Sequence, residues 1–164
     1  MPGLGWEILR FRGAEAVQNL HPLIVHYPIA LLTASVPLYL LAWALRREAL
    51  AVVALWLLEL GALSAIVAAY TGLGAGDSVM VAPSVREHIL VYHERIMLSV
   101  TGISLVLAGW AWLARPMPRR GRVVFMAALL LMAAVLAKGA DFGGWMVYGY
   151  NAGGSLPQPI EFSQ

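Results

Sequence analysis

Four histidines are the residues of this sequence best suited to chemistry, because imidazole nitrogens bind metal ions and haem iron. They occur as two pairs, His21 with His26 in "HPLIVH" and His88 with His93 in "HILVYH". The chain has no cysteine. This excludes disulfides, iron–sulfur clusters, thiolate zinc sites and the covalent attachment of a c-type haem. The remaining metal chemistry is that of imidazole ligands.

The spacing within each pair keeps its two imidazoles off a common helix face. Five residues of helix are a rise of about 7.5 Å and a turn of about 140°. Neither pair can therefore grip one ion as histidines four residues apart do. Counted back from the far ends of their helices, His26 and His93 lie at similar depths, and so do His21 and His88. The pattern predicts pairing between two helices, with His26 and His93 as the deeper pair.

Two imidazoles from facing helices are typical of a b-type haem held inside a helical bundle. We expect one haem, or two if the outer pair is also used. A copper or zinc ion bound by three or four of the histidines is an alternative, and polar residues at the membrane surface with no ligand are another. Arg86 and Arg95 are candidate partners for the haem propionates, because a guanidinium binds a carboxylate through two hydrogen bonds. Pairing with neighbouring glutamates is the alternative for these arginines.

The elements that position the histidines are predicted to be membrane helices. Of the 164 residues, 60% are hydrophobic and 12% charged, with a mean hydropathy of +0.74. A bilayer core of about 30 Å needs roughly 20 apolar residues of helix. Four segments qualify: 22–45, 49–71, 85–114 and 123–140. Since lipid leaves no partner for free backbone groups, the sequence predicts an all-α integral membrane protein, an up-and-down four-helix bundle.

Arginines at one end of the predicted bundle set its orientation. The turns after the first and third helices carry six of them: Arg46, Arg47, Arg115, Arg119, Arg120 and Arg122. By the positive-inside rule this end faces the cytoplasm, so both termini lie on the periplasmic side of a bacterial inner membrane. The basic excess is thus explained without nucleic acid. We divide the chain into an arm or interfacial helix (1–20), the multi-pass domain (21–142) and a periplasmic tail (143–164).

Glycines are expected to have two uses. Gly61 and Gly102 lie inside predicted helices, where a missing side chain lets neighbouring helices approach closely. The glycine-rich stretches 72–84 and 141–151 are predicted to end helices or form outer loops.

Two prolines and one glutamate in the interior of the spans also bear on the structure. Pro28 and Pro37 each remove a backbone hydrogen bond, which predicts a bent first helix with a wider outer half. Glu59 lies near the bilayer midplane, where a free carboxylate is costly. It is predicted to be hydrogen-bonded or to contact another subunit, with proton transfer or quinone binding as the alternative.

The motifs resemble those of domain of unknown function 2231, a family of small predicted four-helix membrane proteins. "LHPLIVHYPIALL", "TGL" with Asp77 nearby, "HILVYHERI" and "DFGGWMVYG" follow the family's order from about residue 19 to 152. The four histidines stand at the family's histidine positions. Where the family commonly has Tyr–x–His–Gly, this chain has "YGYN" at 148–151, so a fifth histidine is missing. Similar domains occur joined to Rieske-type or cytochrome c domains, which implies membrane electron transfer.

Together the residues and the resemblance predict a redox subunit of a respiratory or photosynthetic complex. It would pass electrons between a quinol or a membrane subunit and a periplasmic cytochrome or Rieske protein. No nucleophile with a neighbouring base is recognisable, so no catalysis by the chain alone is predicted. The alternative is a structural or assembly subunit of a larger membrane redox complex, with no cofactor or with a copper or zinc ion.

Overall fold

The computed structural model describes residues 19–152, and over this range the chain is helical, without strands. Within these described residues, four helices are long and apolar enough to cross a membrane. They are α1 (His21–Leu45), α2 (Glu48–Ser78), α3 (Pro83–Leu113) and α4 (Arg122–Gly149). The all-α prediction with four membrane-length helices is confirmed. The predicted arm up to residue 18 and the tail from residue 153 lie outside the described residues.

Short turns link the helices at the arginine-rich end. α1 ends at Leu45, and the next residue, Arg46, has a left-handed backbone (φ 54°). Arg47 is extended and leads directly into α2. α4 begins after Gly121, whose φ of 73° costs glycine little because it has no Cβ. We call this the inner end of the molecule, and the end that carries the histidines the outer end.

α1 is interrupted near its outer end, as its prolines led us to expect. The helix runs from His21 to Ile24, breaks at Val25 and resumes at His26. Pro28 explains the break, because it has no N–H to bond the Ile24 carbonyl four residues earlier. Pro37 lies inside the resumed helix without a second interruption.

The helices pack around a common apolar core. Each helix packs on the next along the chain, and α1 also packs on α4. Tyr39 of α1 meets Phe125 of α4 edge to face, with ring centroids 5.2 Å apart, and Trp110 of α3 meets Phe125 at 5.5 Å. Many large apolar side chains on the sides of the helices that face away from the core remain exposed, among them Leu63, Val106 and Leu131. A lipid environment accommodates these without cost.

The outer ends of two helices are longer than predicted. α2 continues to Ser78 and α4 to Gly149. The prediction that the glycine-rich stretches there end helices or form loops was therefore wrong for 72–78 and 141–149. The predicted tail boundary at 143 likewise falls inside α4. Within these ends, Arg86–Leu90 of α3 and Trp145–Gly149 of α4 are π-helical, a wider winding that is frequent near functional sites.

Glycines inside these helices make room for side chains of neighbouring helices. A Cβ at Gly72 would lie 2.8 Å from the His21 ring, and one at Gly143 would lie 3.1 Å from the His93 ring. Gly61 admits Leu32 of α1, whose backbone nitrogen would be 3.1 Å from an added Cβ. Close packing at Gly61 is thus confirmed. Gly102 has open space around it, so the same prediction was wrong there.

Candidate functional site

A cavity of about 600 Å³ opens at the outer end, between the four helices. Its floor is apolar and includes Leu32, Val100 and Leu136. Its upper wall carries His21, His26 and His93, together with Glu94. Cofactor and ligand sites commonly have volumes of about 300–1,000 Å³ and few polar groups, so the cavity has the dimensions of such a site.

The depth of the cavity can be compared with the thickness of a membrane core. A core of about 30 Å corresponds to roughly 20 residues of helix. Counted from Leu45 and Leu113, the inner ends of α1 and α3, this length reaches His26 and His93. In a membrane of this thickness the cavity floor would lie within the hydrocarbon and its mouth at the headgroup level.

His93 is held by a backbone group of the neighbouring helix. Its Nδ1 lies 2.8 Å from the Gly139 carbonyl of α4, and its ring lies over Gly143. A carbonyl only accepts hydrogen bonds, so Nδ1 donates. In neutral imidazole the other nitrogen, Nε2, then has a free lone pair. A metal-binding histidine usually has this arrangement, with one nitrogen donating to a fixed acceptor and the other binding the metal.

His21 is oriented in a similar way. Its Nδ1 lies 3.3 Å from the Thr71 hydroxyl oxygen of α2. The Thr71 hydroxyl already donates its single proton to backbone carbonyls of Val67 and Ala68, at 3.0 and 3.1 Å. When that proton points to either carbonyl, the hydroxyl oxygen accepts from His21 Nδ1, and the Nε2 lone pair of His21 is then free. Nδ1 is thus the hydrogen-bonded ring nitrogen of both His21 and His93.

The other two histidines differ in position. His26 is exposed yet lines the cavity. His88 does not line it; its Nδ1 lies 3.0 Å from the Ser84 carbonyl one turn earlier on its own helix, and the side chain is exposed. The structure brings His21, His26 and His93 to one cavity and does not bring His88 there.

Glu94 is a cavity residue that the sequence analysis did not single out. It is half-buried, and its carboxylate oxygen packs against Gly76 of α2. Gly76 is one turn beyond Gly72, on the same face of α2, so His21 and Glu94 rest on adjacent glycines. A periodic signal was present, because several of the α3 residues that line the cavity recur at helical spacing, among them Leu90, His93, Glu94, Met97 and Thr101.

The two candidate propionate partners lie outside the cavity lining. Arg86 donates from Nη1 to the Gly76 carbonyl at 2.8 Å and from Nη2 to the Val79 carbonyl at 2.9 Å. These bonds satisfy carbonyls at the end of α2 that have no partner within the helix. Arg95 is exposed. The structure thus gives Arg86 a different partner and places Arg95 on the outer surface.

The segment that replaces the family's fifth histidine also reaches the cavity. Tyr148 and Asn151 line its mouth, although the Tyr148 side chain is 92% exposed. An amide and a phenol can hydrogen-bond a polar group at the mouth. They offer no imidazole in place of the missing one.

Within residues 19–152, His, Asp and Glu form no group of three or more that could hold a metal ion. The wall does contain two oriented imidazoles beside an apolar floor. Such an arrangement suits a flat apolar group whose central metal needs two protein ligands, or a polar ring that accepts or donates hydrogen bonds.

Glu59 lies on α2, away from the cavity lining. Its Oε1 atom is buried and has no hydrogen-bond partner among the described residues. The prediction of a hydrogen bond to this oxygen is not fulfilled within that part of the chain. The alternative, a contact with another subunit, remains a prediction.

Comparison with known proteins adds one relationship. A sequence family described as a predicted membrane protein (DUF2231) matches residues 17–155, which confirms the resemblance noted from the motifs. No curated protein and no solved structure matches the chain.

Proposed function

The chain belongs to the membrane-protein family named domain of unknown function 2231, and on this premise we propose that it is an electron-transfer subunit holding one b-type haem in the outer cavity. His93 and a histidine of α1 would hold the haem iron. The haem supplies one-electron redox chemistry when bound. The absence of cysteine means that binding is non-covalent.

The orientation of His93 carries the proposal. Its Nδ1 donates to the Gly139 carbonyl, and its ring lies over a glycine at the wall of an apolar cavity. These contacts fix the tautomer with Nε2 free to bind iron, and they restrict the ring's rotation. The apolar floor excludes water from the iron-binding end of the cavity.

α1 offers two candidates for the second ligand. His21 has its Nδ1 fixed by Thr71, whereas His26 matches His93 in depth. A haem needs only two imidazoles from the protein. It does not require the three or more protein ligands that a copper or zinc ion would prefer. His88 lies outside the cavity, and for this reason we propose one haem.

We further propose that the helices form an up-and-down bundle in a bacterial inner membrane, with both termini on the periplasmic side. The six arginines of the inner turns support this orientation. The haem site then lies near the periplasmic surface. Electrons would pass between a membrane quinol or a partner subunit and a periplasmic cytochrome or Rieske protein.

Visible spectra of purified variants test the haem site. His93→Ala should lose the Soret band and the reduced α and β bands, because an axial ligand is gone. His88→Ala is the matched control, with the same change on the same helix outside the cavity, and should keep them. Separate His21→Ala and His26→Ala variants identify the α1 ligand as the one whose loss removes the bands. Equal spectra for His93→Ala and His88→Ala would overturn the proposal.

A further inference from the structure

A second recess lies at the inner end of the molecule, far from the histidines. We call it the inner groove; its volume is about 320 Å³. It is lined by Glu48, Val52, Leu55 and Trp56 of α2, by Trp112 of α3, and by Arg115 and Pro116 of the following turn. It therefore lies between two helices, at the level where hydrocarbon meets headgroups.

Arg115 is positioned at the groove by its neighbour Trp112. Its guanidinium carbon lies 3.1 Å from the centroid of the Trp112 ring, a cation–π contact. Its Nε donates to the Trp112 carbonyl at 3.1 Å, and this is its only hydrogen bond among the described residues. Stacking thus restrains the guanidinium, while its two Nη groups remain available for an anion.

The wall of the groove is apolar and faces the lipid. Trp56 and Trp112 meet edge to face, with centroids 6.0 Å apart. Trp56 is 53% exposed and Val52 is 41% exposed. Tryptophan is enriched at this membrane level because its ring is apolar and its N–H is polar. An acyl chain can pack along this wall.

The charge around the groove favours an anion. The turns at this end carry six arginines against one acid, Glu48. α2 begins here without a side-chain cap, so its first N–H groups add partial positive charge. Glu48 itself lines the groove and opposes part of this field.

We propose that the inner groove binds one anionic phospholipid. The phosphodiester is bound by Arg115, and an acyl chain lies along Val52 and Trp56. Basic pockets between membrane helices at this level bind such headgroups elsewhere. This site lies at the opposite end of the molecule from the haem cavity and does not depend on it.

Native mass spectrometry of the purified protein tests the site. Titrated with phosphatidylglycerol, the protein should retain one lipid, with phosphatidylcholine bound about fivefold more weakly or worse. Arg115→Gln should weaken phosphatidylglycerol binding by about fivefold, roughly the effect of one basic residue at the membrane surface. Arg95→Gln, the same change at the outer end of α3, should bind like the original protein.

Glu48→Gln provides a reciprocal test, because the expected change in lipid affinity would not occur if the groove had only a structural role. Removal of this acid should strengthen phosphatidylglycerol binding, because its repulsion of the phosphate is lost. Water-soluble glycerol phosphate should not compete at equal concentration, because it has no acyl chain. Equal affinity for both lipids, equal behaviour of Arg115→Gln and Arg95→Gln, or full competition by glycerol phosphate would each overturn the proposal.

Discussion

Two of the three cavity histidines, His21 and His93, are oriented by hydrogen bonds to neighbouring helices. The Gly139 carbonyl accepts from His93 Nδ1, and the Thr71 hydroxyl is hydrogen-bonded to His21 Nδ1. Both acceptors lie next to positions where the backbone has no side chain or a small one. A histidine can therefore lie flat against the neighbouring helix and expose its other nitrogen.

Arg86 illustrates how a residue type can fit two roles. From sequence it was a candidate for binding propionates, since a guanidinium next to a histidine pair suits that chemistry. In the structure both of its Nη groups donate to the last carbonyls of α2. The sequence does not reveal this contact. The predicted end of α2, at residue 71, precedes Gly76 and Val79, whose carbonyls Arg86 binds.

Arg86→Gln should therefore lower stability. Two charge-assisted hydrogen bonds are lost at a half-buried position, which we expect to cost about 1–2 kcal/mol. Thermal unfolding in detergent measures the effect, with the exposed Arg95→Gln as control. If Arg86→Gln left the unfolding midpoint unchanged but removed bound haem, the propionate role would be correct instead.

Among the helices, the local structure of the glycine-rich stretches was predicted least well from the sequence. The low helix propensity of glycine led to predicted loops at 72–84 and 141–151. In α2 and α4 these glycines are helical, and a larger residue in their place would collide with His21, Glu94 or His93. Helix propensity is a local property of the sequence. Which side chain of another helix fills the space beside a glycine is known only once the helices are packed.

The close approach of α1 and α2 at Gly61 can be tested directly. Gly61→Ala would place a Cβ 2.7 Å from Leu32 Cδ2 and 3.1 Å from the Leu32 backbone nitrogen. We expect it to destabilise the protein by roughly 1–3 kcal/mol, the usual cost of overpacking.

Gly102→Ala is the matched control, since nothing lies within 4 Å of the added Cβ. It should be neutral or stabilise the helix by up to about 1 kcal/mol. The two unfolding midpoints, measured in the same detergent, should move apart. Equal midpoints would show that Gly61 does not limit the distance between α1 and α2.

At the scale of the whole molecule, the four spans and the single end that carries all histidines could be predicted from hydropathy and position. Three of the histidines line one cavity: His21, His26 and His93. His88 does not, because it lies in a π-helical stretch and its ring bonds its own helix. Glu94 joins the site through its contact with Gly76, which local sequence does not specify.

The proposed orientation predicts where reporter fusions are active. Alkaline phosphatase becomes active only when it is exported to the periplasm. The enzyme fused after residue 164 should therefore be active. The same enzyme fused after Arg47 or Arg120 should be inactive, because the arginine-rich turns face the cytoplasm. The opposite pattern would place the cavity at the cytoplasmic surface and contradict the proposed periplasmic partners.

The haem content of the purified protein tests the proposed haem binding most directly. The protein should be purified from haem-replete cells, and its reduced-minus-oxidised spectrum and haem-to-protein ratio measured. We expect α and β bands of a b-type haem at about one haem per chain. A colourless protein without haem would contradict the central claim and favour the structural or assembly role, with copper or zinc found by elemental analysis pointing to a metal ion instead.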